Sequence, residues 1–114
     1  MNESNAHVTN VIVMIDTESL GLKPDSIVRE LAFLAVDADD PDTILKEVQE
    51  FLPLLPQEGL GRKVYVDTTA WLLDSPDEVK ESIRANINGD LDELCAIVRS
   101  FIRKFNAVTQ NRTY

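Results

Sequence analysis

The stretch from Val11 to Leu22 constrains this chain most: a run of β-branched and aliphatic residues, Val11-Ile12-Val13-Met14-Ile15, ends in Asp16-Thr17-Glu18 and then in Ser19-Leu20-Gly21-Leu22. Such a run, closed by a small-residue turn, predicts a buried strand that delivers carboxylates to its C-terminal end. Alternation along a strand puts residues two apart on one face. Asp16 and Glu18 can therefore address one cation while Thr17 faces away.

The segments after this strand set the fold class. Ser19 to Pro24 reads as a turn, and Leu31 to Val36 as a second strand antiparallel to the first, because only the turn and its flanks separate them. Asp37 to Asp42 is read as an acidic turn. The next segment, Thr43 to Leu55, leaves two alternatives open. Ile44, Val48, Phe51 and Leu52 fit a helical period, whereas Glu47 to Leu52 fits the third strand of a meander, ended by Pro53 and Pro56. Pro56 to Lys63 reads as a loop, and Val64 to Val66 as an extended piece leading to Asp67, the expected N-cap of a helix through Trp71 and Leu73. Ser75-Pro76-Asp77-Glu78 predicts another helix, capped by Ser75 and running to about Ala85.

Asp90 to Phe105 carries the strongest helical signal. Leu91, Leu94, Cys95, Val98, Phe101, Ile102 and Phe105 recur at three- and four-residue spacing, and Asp90 with Glu93 forms a capping box. Asn106 to Tyr114 is left as a final strand or as no element, and residues 1–9 as a frayed arm. The expected architecture over residues 1–114 is a single α/β domain, an antiparallel three-stranded meander followed by helices packed on one face.

Composition narrows the function classes. The net charge is −9, with 20 acidic against 11 basic residues. Such a chain is a poor match for a broad nucleic-acid footprint, which draws affinity from Lys and Arg displacing counterions. A small cleft gripping one strand end through divalent ions is compatible with it, as is docking on a basic partner surface. Cys95 is the one cysteine, so a disulfide framework and a zinc cluster are excluded. No apolar run reaches the roughly 20 residues of a membrane span, and a cytoplasmic protein is expected.

The residues Ile15-Asp16-Thr17-Glu18-Ser19-Leu20-Gly21 resemble the first motif of the DEDD (DnaQ-like) 3′–5′ exonucleases, whose fold is RNase H-like. Ile27 to Asp37 is similar to that family's second strand. The succession of a long loop, Asp67-Thr68-Thr69-Ala70-Trp71, an acidic helix and an amphipathic helix resembles the phage and bacterial members of exonuclease VIII-like and mycobacterial exoribonuclease type. The resemblance implies Mg²⁺ or Mn²⁺ held by Asp16 and Glu18 as catalytic ligands. It also implies a nucleic acid 3′ end lying against Glu18 and the Thr17, Ser19 and Leu20 neighbourhood, and hydrolysis by two ions about 4 Å apart.

The chain departs from the family's pattern after the amphipathic helix. There the family places its second-motif aspartate, whereas Asn106 to Tyr114 contains neither Asp nor Glu, and His7, the one histidine, precedes the first strand. Two expectations result. One is an RNase H-like half-fold, truncated and plausibly phage-derived, carrying half of a two-metal site. The other is an inactive relative that binds or inhibits a protein, in the manner of an anti-defence module, through its acidic surface. An incomplete sheet exposes a strand edge and apolar surface, so a homodimer or heterocomplex is expected.

Bland roles compete at the other polar positions. Asp67 reads as a cap before a ligand, Trp71 as core before a base-stacking platform, and Asp37, Asp39, Asp40 and Asp42 as a solvated turn before a calcium loop. Cys95 reads as a buried small hydrophobe, and Arg99, Arg103 and Lys104 as a solvated helix face.

Overall fold

The computed structural model describes Val8 and residues 10–114. Three antiparallel strands form one sheet in the order of the chain: β1 (Val11–Ser19), β2 (Val28–Asp37) and β3 (Asp40–Phe51). Four helices come after them: α1 (Leu55–Gly59), α2 (Val66–Leu73), α3 (Asp77–Ala85) and α4 (Leu91–Thr109). The domain is thus an α/β meander with helices packed against it. Apart from Val8, the N-terminal arm expected to fray, His7 included, lies outside the described residues.

The third segment is a strand, and it is longer than the Glu47–Leu52 reading. It begins at Asp40, directly after a two-residue turn at Ala38 and Asp39, so most of the acidic segment is sheet rather than turn. The turn closes locally: the Asp39 N–H donates to Asp37 Oδ1 at 2.9 Å, and Thr43 Oγ1 donates to Asp40 Oδ2 at 2.7 Å. Pro41 is accommodated because β3 is an edge strand. A register shift between the pairs Ala35–Lys46 and Val36–Ile44 leaves Leu45 as an extra residue, which still packs on the core. That bulge breaks strict alternation, and the apolar spacing around it imitates a helix.

The core lies between the sheet and α4. Phe33 and Ala35, 2% and 0% exposed, sit beneath Phe101 and Val108. Phe33 meets the Phe101 ring edge-on at 5.5 Å between centroids and the Phe105 ring at 5.8 Å. Val11, Val13 and Leu31 extend this layer along β1 and β2. A second cluster of Leu20, Ile27 and Leu54 takes Leu72 of α2 and Ile83 of α3.

Helix boundaries depart from the sequence reading in three places. Part of the expected Pro56–Lys63 loop is α1, with Pro56 in its first turn, where a missing N–H costs nothing. Ser75 does not cap α3; its hydroxyl donates to the Trp71 carbonyl at 3.0 Å and closes the end of α2. Helix α4 continues to Thr109, because Val108, 1% exposed, repeats the Phe101 and Phe105 spacing. The expected cap at its start is present: Asp90 Oδ1 accepts the Glu93 N–H at 2.8 Å. Among the described residues, no helix is long and apolar enough to cross a membrane.

The strap from Arg62 to Tyr65 fixes the turn after β1. Its backbone exchanges hydrogen bonds with that turn: the Ile27 N–H donates to the Lys63 carbonyl, the Lys63 N–H to the Asp25 carbonyl, and the Tyr65 N–H to the Leu20 carbonyl. Arg62 adds two side-chain bonds at 2.8 Å, from Nε to the Ser26 carbonyl and from its guanidinium to the Pro24 carbonyl. Buried Gln57 ties α1 to the start of β2, accepting the Val28 N–H at 2.9 Å and donating to the Val28 carbonyl at 2.6 Å. Ser26 and Gln57, the buried polar residues here, are thus paired, which avoids a desolvation cost of about 1–3 kcal/mol for each unsatisfied group.

Candidate active site at the end of the first strand

Register explains where the two carboxylates go. Val11 and Val13 pack on the core, whereas Ile12 and Met14 are about half exposed, so Asp16 and Glu18 continue the open side of the sheet. Asp16 stands opposite Ala32, and Glu18 opposite Glu30. A register shift between Glu18 and Ser19 then bends the chain into the turn. Asp16 is exposed and Glu18 half-buried.

The two carboxylates border different depressions. Asp16 opens onto a shallow groove over the bare sheet face, together with Met14 and Glu30. Glu18 opens onto a cleft of about 340 Å³, lined by Ser19, Gly21, Leu22, Asp67 and Trp71. Thr17, Glu18 and Ser19 also border a neighbouring surface depression that reaches Lys23 and Pro24. Leu20 does not line any of these. It is buried in the second cluster, its N–H donates to the Ile27 carbonyl at 2.8 Å, and its carbonyl accepts from Tyr65 at 3.1 Å.

Two residues take positions other than the expected ones. Tyr65, not Asp67, is the N-cap residue of α2. Asp67 lies in the helix's first turn, exposed, where a carboxylate suits the positive end of the helix dipole, and it lines the cleft with Glu18. Trp71 is 56% exposed and borders the same cleft rather than the core. The strap explains both: it places the start of α2 over the turn, an arrangement set by tertiary hydrogen bonds rather than by the helix's own sequence. Elsewhere Cys95 is a half-buried free thiol, and Lys104 pairs with Glu50 at 3.2 Å.

Glu30 is the polar residue that sequence reasoning missed. It faces Glu18 across the β1–β2 ladder, accepts a hydrogen bond from Gln49 Nε2, and lies 3.9 Å from the Arg29 guanidinium. The only available signal is the pairing register, which neither strand shows alone. Like charges directly opposite on a sheet repel. Even so, among the described residues no group of three or more His, Cys, Asp or Glu side chains gathers in an ion-binding arrangement.

The turn carries its own polar contact. Tyr65 Oη donates to Asp25 Oδ1, and Lys23 Nζ lies 5.0 Å from the Tyr65 ring centre. The phenol bond, more than any other cause, holds the Asp25 carboxyl below the ordinary carboxylate range, and the same bond raises the Tyr65 hydroxyl above its usual value. A depressed carboxyl contributes stability above its unfolded pKa that is lost as pH falls through the folded value. A raised phenol contributes below its unfolded pKa and loses that contribution on the alkaline side. The contact therefore spans the whole interval between the ordinary carboxylate and phenol ranges and extends past both ends. In Tyr65→Phe, the Asp25 midpoint followed by carboxyl carbon NMR should move up toward the ordinary carboxylate range, and an unchanged midpoint would refute this coupling.

The chain was compared with protein-family models, with curated proteins and with solved structures; none matches. The functional reading therefore rests on the residues themselves.

Proposed function

We propose that this chain is a 3′–5′ exonuclease-like protein of the DEDD (DnaQ-like) type, an incomplete RNase H-like domain that carries half of a two-metal nucleic-acid hydrolysis site. The observation that supports it most is the coincidence of Asp16 and Glu18 at the end of the first meander strand with a cleft bounded by Glu18, Asp67 and exposed Trp71. A terminal nucleotide needs a cation for its phosphate and a flat apolar surface for its base. The cleft holds carboxylates for the first and an indole for the second.

Asp16 and Glu18, two apart on β1, are the donors this reading assigns to one hard cation. Mg²⁺ keeps several waters and is commonly held by one or two carboxylates, which Asp16 and Glu18 can supply. Mn²⁺ suits the same oxygens. Such an ion would neutralise the phosphate and relieve the opposition of Glu18 and Glu30. In this reading Thr17 and Ser19 flank the bound strand end, and Leu20 supports the turn from beneath. A second ion needs further ligands, which the described residues do not gather. They would come from outside residues 1–114, as a homodimer or heterocomplex would supply them. Without such a complement the acidic domain would act by binding a protein, the alternative role.

Calorimetric titration tests the metal half. Wild-type chain is expected to bind Mn²⁺ at one site, and Asp16→Ala to weaken that binding by at least about tenfold, or roughly 1.4 kcal/mol. No binding by wild type, or equal binding by Asp16→Ala, would overturn the proposal. A labelled single-stranded oligonucleotide with a free 3′ end should then bind more tightly with Mn²⁺ than without it.

A further inference from the structure

The open face of the sheet is graded along its strands. At one end stand Ile12, Met14 and Ile44, 46%, 51% and 58% exposed. Towards the other end stand Asp16, Glu30 and Glu47, which line one groove with Met14. Register makes this a single surface, since Ile12 and Ile44 flank Val36, while Met14 and Glu47 flank Leu34. Helix α4 covers the opposite face. An apolar face rimmed by charge is the usual mark of an interaction surface.

Charge decides between occupants. The groove lining contains three carboxylates and no Lys, Arg or His. Arg29, 3.9 Å from Glu30, offsets one of them, and the whole chain carries −9. A second copy placed face to face would set these carboxylates either against their equivalents or over the apolar end, and repulsion or desolvation costs affinity in each case. A helix is the element that covers a sheet face, as α4 does on the other side. We propose that this open face docks a basic amphipathic helix of another protein, with apolar residues over Ile12, Met14 and Ile44 and Lys or Arg reaching Asp16, Glu30 and Glu47. The docking surface is separate from the Glu18–Trp71 cleft but shares Asp16 with the proposed cation site, so peptide binding is measured without divalent ions.

The probe is a fluorescein-labelled amphipathic peptide of leucine and lysine, about 18 residues or five helical turns long. It is titrated with the full chain and followed by anisotropy. Wild type should bind it, and Met14→Lys and Glu47→Lys should each weaken binding by about tenfold. Glu58→Lys, the same charge change at an exposed position of α1, should leave it nearly unchanged. A peptide of identical composition, shuffled to have no apolar side, should bind less. Circular dichroism checks folding, and Glu47→Lys, at an exposed site, decides if Met14→Lys unfolds. Equal binding of the shuffled peptide, or equal loss in Glu58→Lys, would overturn the proposal in favour of general charge attraction. A concentration-dependent dimer of the chain alone, abolished by Met14→Lys, would overturn it in favour of a second copy.

Discussion

Replacing Phe33 by alanine should destabilise the domain by about 3–5 kcal/mol, the range for deleting a buried aromatic ring. Phe33 is where the sheet and α4 meet. It stands on β2, the central strand, 2% exposed, and its ring is edge-on to both Phe101 and Phe105 of α4. Removing it opens a cavity between two rings that cannot both move inward, and it also forfeits two aromatic contacts worth about 0.5–1.5 kcal/mol each beyond their area. Domains of this size have about 5–15 kcal/mol in total, so the variant should sit near the edge of folding. In urea the midpoint should fall by roughly 2 M. Ile12→Ala, on the open face of the same sheet, should change stability far less. Equal losses would mean that the sheet is buried on the other side.

Gly21→Val should be the second most damaging change, costing about 3 kcal/mol and deforming the cleft as well. Gly21 is buried in the turn where β1 meets the strap. A Cβ there would overlap the Ser26 hydroxyl and come within 2.5 Å of the Tyr65 ring. Ser26 has no room to yield: it is 2% exposed, and its hydroxyl accepts the Lys23 N–H at 3.2 Å. The strap must therefore lift, taking with it the start of α2 and the Asp67 and Trp71 side of the cleft. Both stability and Mn²⁺-dependent oligonucleotide binding should fall. A variant that keeps wild-type stability would show that the turn and the strap are not packed this closely.

These two positions illustrate what a sequence can show. The layer around Phe33 is legible because long apolar runs in β1 and β2 and the period of α4 each declare a buried face, and only one arrangement buries all three. β3 is ambiguous in sequence because the extra residue at Leu45 shifts the phase of alternation, and a one-residue bulge leaves no mark in composition. Val108 escapes the sequence reading because Arg103 and Lys104 resemble a last helical turn, although the apolar spacing runs on. In the site, Asp16 and Glu18 are readable from one strand alone. Glu30, Asp67 and Trp71 are not, since their positions depend on register and on the Tyr65–Leu20 and Lys63–Ile27 hydrogen bonds. Local patterns show elements, whereas a site assembled across elements appears only once they are paired.

As proposed, the end of β1 is a cation site facing a nucleic-acid cleft. Paramagnetic broadening by Mn²⁺ tests it most directly, because the effect falls steeply with distance from the ion and is read residue by residue in amide NMR spectra. With sub-stoichiometric Mn²⁺, the signals of Asp16 to Ser19 and of Glu30 should broaden first, those of Asp67 to Trp71 next, and those of the Asp37 to Asp42 hairpin last. Broadening that begins at the acidic hairpin, or that spreads evenly over the surface and survives in Asp16→Ala, would contradict the claim.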